Sequence, residues 1–137
     1  MFRTILVPAD LAHADKLDRA LEAAAGLAKQ YGSRLILVGV SSALPGSLSH
    51  NPAEFAERLS EFAARQSDKH GVTFEAKAVT SHDPARDLDQ TLSEQVHETG
   101  ADLVVMASHV PGFAEHVFSS RAGYLATHSE ISVFVVR

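Results

Sequence analysis

Short apolar runs that alternate with stretches of helical period constrain this chain more than any other feature. Four of the runs are Thr4–Val7, Leu35–Val40, Leu103–Met106 and Ile131–Val136. Each is nearly continuous in Val, Ile, Leu, Met or Phe, which is typical of strands covered by helices on both faces of a parallel sheet. The run Phe74–Val79 alternates instead, and its two charges indicate a strand at the edge of the sheet. The sequence therefore predicts five strands.

The segments between these runs carry apolar residues at three- and four-residue spacing, as amphipathic helices do. Helices are predicted from Leu17 to Tyr31, after Pro52, after Asp83-Pro84, and from about Ser119 or Ser120 to His128. Gly32 should end the first helix and Gly100 the third, because glycine readily adopts the left-handed backbone that closes helices. The order predicts an α/β fold with an open parallel sheet. With 137 residues, the chain has room for one domain, residues 1–137.

Composition excludes several classes of function. The chain has no cysteine, so disulfides, thiolate metal sites and cysteine nucleophiles are excluded. The net charge of −5 and the scattered basic residues argue against a nucleic-acid partner.

The first apolar run stops at Pro8, which is too short for a signal peptide or a membrane span, so a cytoplasmic location is expected. The 8 histidines lack the spacing of metal ligands, and G-x-S-x-G is absent.

Two predicted loops follow strands two and four, at the edge where open α/β sheets bind ligands. They are Ser41–Asn51 and Ser108–Phe118. The stretch Pro8-Ala9-Asp10 reaches the same edge directly after strand one. The Asp10 carboxylate can accept hydrogen bonds from a base or a ribose, and Asp is also a common turn and helix-cap residue. Both interpretations of Asp10 stay open.

A second candidate site begins at Ala107 and continues to Ser119-Ser120-Arg121. Hydroxyls, backbone N–H groups and the positive end of a helix dipole can together bind an anion, with Arg121 as a charge donor. The alternative is that Ser119 or Ser120 only caps the fourth helix. Neither a Walker A motif nor G-x-G-x-x-G is present, so the residues alone favour neither interpretation.

Taken together, these segments resemble a small single-domain universal stress protein over the whole chain. The matching pieces are Thr4–Asp10, Leu35–Val40, Ala101–His109 and the ending from Ser120 to Arg137. The resemblance implies a Rossmann-like sheet of order 3-2-1-4-5 and a homodimer. Ala107-Ser108-His109-Val110-Pro111 resembles a bacterial subgroup with Ala-Ser-His-x-Pro, which is associated with ATP binding.

The family's phosphate-binding pattern, G-x2-G-x9-G-[ST], is altered in this chain. Ala107 and Val110 stand at the first two glycine positions, the next interval is one residue shorter, and Ser119 stands at the third. Only Ser120 matches. A glycine at position 119 would leave the backbone open to a phosphate, whereas Ser119 adds a Cβ and a hydroxyl that either crowd the phosphate or donate to it. Other members with Ser-Ser here are associated with not binding ATP.

The resemblance implies a regulatory protein that binds ATP or a related adenine nucleotide, with Mg²⁺, and turns it over slowly or not at all. The expected binding residues are Pro8, Asp10, Val40, Ala107, Ser108, His109, Ser119, Ser120 and Arg121. No general base is evident, and Asp10 is the one carboxylate that can be named for Mg²⁺. The alternative function is a dimeric stress-response interaction protein that does not bind nucleotide.

The last strand, Ser132-Val133-Phe134-Val135-Val136, is expected to pair with its symmetry mate in the homodimer. It is apolar and lies at one end of the implied strand order, where an open edge would promote aggregation. Pairing across a two-fold axis would satisfy backbone donors and cover Val133 and Val135.

Overall fold

Strands and helices alternate along the chain in the predicted order. A computed structural model describes residues 1–42, 51–108, 123–127 and 129–137, apart from the side chains of residues 84–86. The strands are β1 (Thr4–Pro8), β2 (Arg34–Ser42), β3 (Phe74–Ser81), β4 (Leu103–Ala107) and β5 (Ser132–Val136). The helices are α1 (Asp18–Tyr31), α2 (Pro52–His70) and α3 (Pro84–Thr99), and residues 123–127 form a short helical stretch, α4. The predicted start of α4, at Ser119 or Ser120, and its predicted end, at His128, lie outside the described residues.

The five strands form one parallel sheet in the order β3-β2-β1-β4-β5. This order confirms the Rossmann-like arrangement. The chain moves outward from β1 through β2 to β3, then crosses over to β4 on the other side of β1. The strand order therefore reverses between β1 and β4, and such a switch point opens a crevice at the carboxyl ends of the strands.

Two apolar clusters cover the two faces of the sheet. The first joins α1 and α2 to the sheet and includes Leu21, Leu37, Phe55, Leu59 and Val105. The second joins α3 and α4 to the opposite face and includes Leu6, Val38, Leu92, Val104 and Leu125. These clusters confirm helices on both faces, which explains why the central strands are almost continuously apolar.

α1 ends where the sequence predicts, and α2 begins close to its predicted start. Gly32 follows α1 with φ 66°, and its N–H donates to the carbonyl of Ala28. Asn51 caps α2, because its side-chain oxygen accepts the N–H of Glu54 at 2.8 Å. Within the described part of the chain, no helix is both long enough and apolar enough to cross a membrane.

Both ends of the predicted loop Ser41–Asn51 belong to neighbouring elements in the structure. Ser41 and Ser42 continue β2, where they pair with Thr80 and Ser81 of β3. At the other end, Asn51 is the cap of α2. The rest of the predicted loop, residues 43–50, lies outside the described residues.

The two outer strands differ in character. β3 is an edge strand, as predicted, and both of its charged side chains form ion pairs. Glu75 Oε1 lies 2.9 Å from Nη2 of Arg34 on β2, and Lys77 Nζ lies 3.1 Å from Oε2 of Glu98 on α3. β5 spans Ser132–Val136, as predicted for the last strand, and it is apolar. Phe134 is 47% exposed and Val135 is 44% exposed, so β5 presents an uncovered apolar surface.

Candidate functional site

Three of the predicted binding residues reach one level at the carboxyl edge of the sheet. β1 is paired in register with β2 on one side and with β4 on the other. Counting on from these pairs places Asp10 level with Val40 and with Ser108. The last recorded pairs are Pro8 with Val38 and Leu6 with Val104, so this common level is the strand register extended past the strand ends. Sequence and topology thus bring together residues that are far apart along the chain.

β1 and β4 end at this edge of the sheet, at Pro8 and Ala107. Pro8 is half-buried at the end of β1, and the next residue still pairs with β2 through the bond from Ala9 N to Val38 O at 2.8 Å. Ala107 is buried at the end of β4. The N–H of Ser108 donates to the carbonyl of Val136 at 2.9 Å, so this N–H is committed to the sheet. Ser108 can therefore reach a ligand mainly through its half-buried side chain.

Asp10 is a helix cap, which confirms one of its two interpretations. It precedes a 3-10 segment, Leu11–Leu17, that leads into α1. Its Oδ1 accepts the N–H of Ala12 at 3.0 Å. The side chain nevertheless remains 40% exposed, so a ligand can still reach the carboxylate.

His13 is the partner of Asp10 that the sequence analysis missed. Its Nδ1 lies 3.0 Å from Asp10 Oδ2, and its side chain is 31% exposed. The backbone at His13 has φ −128° and ψ 41°, which departs from helical geometry inside the 3-10 segment. The available signal was a histidine three residues after a capping aspartate, the spacing at which a side chain can return to the cap.

α2 packs directly onto β2 beside Val40. An added Cβ at Gly39 would lie 2.9 Å from Phe55 Cζ and 3.1 Å from Leu59 Cδ2. Only glycine allows this approach without movement of the ring. Val40 itself is half-buried and packs against the apolar cluster on the other face of the sheet.

Two of the described carboxylates have shifted pKa values, and both lie at the amino-terminal edge of the sheet, opposite the candidate site. Burial raises the pKa of Asp102, but hydrogen bonds from the backbone N–H groups of Arg3 and Thr4 lower it by more, so it lies below its ordinary value. The hydrogen bond from Arg34 likewise lowers the pKa of Glu75. Both carboxylates hold strands together, and neither belongs to the candidate site.

The remaining predicted binding residues lie outside the described residues: His109, Ser119, Ser120 and Arg121. The rest of the predicted second loop, residues 109–118, lies outside them as well. Among the residues that the structure does describe, no group of three or more His, Asp or Glu side chains is arranged to hold a metal ion. Asp10, the expected Mg²⁺ ligand, has both carboxylate oxygens hydrogen-bonded within its own segment. Mg²⁺ bound together with the nucleotide stays a prediction.

Known proteins share this fold and sequence pattern over the full length of the chain. A model of the universal stress protein family matches residues 1–137. Universal stress protein G of Escherichia coli O157:H7 is 28% identical over 148 aligned positions, which cover 100% of each chain. A universal stress protein in complex with cAMP is similar at TM-score 0.68 and 21% identity, over 99% of this chain and 97% of that one. The Archaeoglobus fulgidus universal stress protein in complex with dAMP is similar at TM-score 0.63 and 22% identity, over 98% of both chains.

Proposed function

Because the chain belongs to the universal stress protein family, we propose that it is a regulatory protein that binds ATP or a related adenine nucleotide. The observation that carries this proposal is the pairing of β1 with β2 and β4 at the switch point of the sheet. Extended past the strand ends, this register puts Asp10, Val40 and Ser108 at one level. The solved structures with cAMP and dAMP support the ligand class, since both ligands are adenine nucleotides.

The nucleotide is proposed to lie across the crevice with its adenosine end at β1 and β2. Asp10 offers an exposed carboxylate there, and Val40 offers an apolar surface for the base. The phosphates would extend past Pro8 and Ala107 towards Ser108, His109 and the stretch Ser119-Ser120-Arg121. The serine hydroxyls and the Arg121 guanidinium can donate hydrogen bonds to phosphate oxygens.

Little or no hydrolysis is proposed. Hydrolysis needs a general base within reach of the attacking water, and none is evident among the expected binding residues. The protein would then act as a nucleotide-dependent regulator, with a cytoplasmic location as a further prediction.

A homodimer through β5 is the second part of the proposal. β5 lies at the end of the strand order, with one edge paired to β4. Phe134 and Val135 are almost half exposed, and a second copy of the same strand would cover them.

The alternative function is a dimeric stress-response interaction protein that does not bind nucleotide. One observation favours it: the N–H of Ser108 is bound to Val136 and is withdrawn from phosphate binding. The absence of glycine at positions 107, 110 and 119 points in the same direction, because each side chain restricts how closely a phosphate can approach the backbone.

Calorimetric titration with ATP and AMP tests the nucleotide proposal, with Asp10→Asn as the informative variant. Asparagine is also a good cap, so the 3-10 segment should remain intact while the negative charge is lost. We expect affinity to fall about tenfold, since a hydrogen bond to a charged group contributes about 1–2 kcal/mol. The matched control is Asp68→Asn, on an exposed position of α2, which should bind as the wild type does. Absence of binding by the wild-type protein at millimolar nucleotide would favour the interaction-protein alternative.

A further inference from the structure

The Asp10 carboxylate is held at both of its oxygens. Oδ1 accepts the N–H of Ala12 and Oδ2 meets Nδ1 of His13, each at 3.0 Å. The first contact alone completes the cap, because a cap needs one side-chain oxygen on one backbone N–H. The contact with His13 is additional and calls for another explanation.

The backbone is shaped so that the imidazole returns to Asp10. The N–H of His13 donates to the carbonyl oxygen of Asp10 at 3.0 Å, which closes a tight turn. Within that turn His13 takes φ −128° and ψ 41°, outside helical geometry. The turn directs the ring towards the carboxylate instead of continuing a regular helix.

The contact with His13 fixes the plane of the Asp10 carboxylate and leaves other acceptor positions on its oxygens. An ionised carboxylate only accepts hydrogen bonds, so His13 Nδ1 carries the hydrogen and donates it. Such a carboxylate has about four acceptor positions, of which the cap and His13 use two. The others remain available on a side chain that is 40% exposed.

We propose that His13 is a positioning residue that orients the Asp10 carboxylate for the adenosine end of the bound nucleotide. This inference rests on the proposed function and names a residue on which the same site depends. A carboxylate already held in one orientation loses less freedom when the ligand binds, which raises affinity. We expect the contact to raise affinity about three- to tenfold.

The test compares three variants by calorimetric titration with adenosine and with AMP. His13→Leu removes the donor, and His13→Asn restores one, because the amide nitrogen stands at the same branch of the side chain as Nδ1. His97→Leu, on an exposed position in the last turn of α3, is the matched control. We expect His13→Leu to weaken adenosine and AMP by the same factor of about three to ten, and His13→Asn to recover most of the loss.

The diagnostic result is an equal loss of affinity for adenosine and for AMP. An effect of the His13 charge on the phosphate would change the affinity for AMP alone. If His13→Leu lowers the melting temperature but binds both ligands as the wild type does, His13 is only structural and the inference is overturned. The same holds if His13→Asn shows no recovery. Failure of the wild-type protein to bind either ligand would instead overturn the proposed function, and this inference with it.

Discussion

The two interpretations of Asp10, as a helix cap and as a ligand contact, are compatible. As a cap it uses one acceptor position for Ala12, and as a candidate ligand contact it has others to offer. The sequence places Asp10 at the end of a strand, and this placement is confirmed. The three-residue spacing of Asp10 and His13 could suggest their contact, but its geometry depends on a local departure from helical dihedral angles that residue types do not encode.

Gly39 is a residue at which packing leaves no room for a side chain. Gly39→Ala is expected to lower the free energy of unfolding by about 1–3 kcal/mol, because the buried Phe55 ring must move away from the new Cβ. Gly26→Ala is the matched control. Gly26 is exposed in α1 with no atom within 4 Å of an added Cβ, so alanine there should raise helix stability by about 0.5–1 kcal/mol. Urea denaturation measures both; equal stability of Gly39→Ala and the wild type would contradict the close approach.

At the scale of elements, apolar runs predict where strands lie but underestimate how far they extend. β2 and β3 both continue into polar residues, where Ser41 pairs with Thr80 and Ser42 with Ser81. Serine and threonine are common in turns, so the residues alone suggest a loop. The extension is decided by pairing between two strands, which depends on tertiary structure and not on local propensity.

The amino end of β4 is held to β1 by the Asp102 carboxylate, and this junction should be sensitive to pH. Because hydrogen bonds from Arg3 and Thr4 favour the ionised form, the pKa of Asp102 in the folded protein lies below its ordinary value of 3.8. Its contribution to stability is therefore complete above about pH 4 and is lost as the pH falls through the lower folded value.

Asp102→Asn tests this junction. We expect the variant to lose about 1–2 kcal/mol of unfolding free energy at pH 7, with a smaller difference from the wild type at pH 3. Urea titrations at the two pH values measure this change, and Asp68→Asn, on the exposed surface of α2, should lose nothing at pH 7. A difference that stays constant between pH 7 and pH 3 would show that the charge of Asp102 does not support the junction.

At the scale of the whole molecule, strand order converts separate segments into one candidate site. The alternation of runs and helices predicts a parallel sheet, but it does not say which strands are neighbours. The order 3-2-1-4-5 came from the resemblance and is confirmed. Extended past the strand ends, the register of β1 with β2 and β4 puts Asp10, Val40 and Ser108 at one level. The phosphate end of the proposed site depends on residues beyond the described part of the chain.

The open surface of β5 leads to a prediction for the whole assembly. Val133 packs partly against the apolar cluster of its own sheet, while Phe134 and Val135 are 47% and 44% exposed. Two copies that join their sheets through β5 would cover these side chains and pair the outer backbone groups. Light scattering at micromolar concentration should then give twice the chain mass of 14.7 kDa.

Val135→Asp should shift the dimer towards monomer. The two-fold axis brings two copies of the new charge into one apolar interface, where each is desolvated and repels the other. We expect the dimer dissociation constant to rise about 100-fold, or about 3 kcal/mol. Thr80→Asp is the matched control, because it adds the same charge to an exposed position on the opposite edge strand, β3. Dissociation caused by Thr80→Asp but not by Val135→Asp would place the interface on β3, and a wild-type mass of 14.7 kDa at every concentration would exclude the dimer.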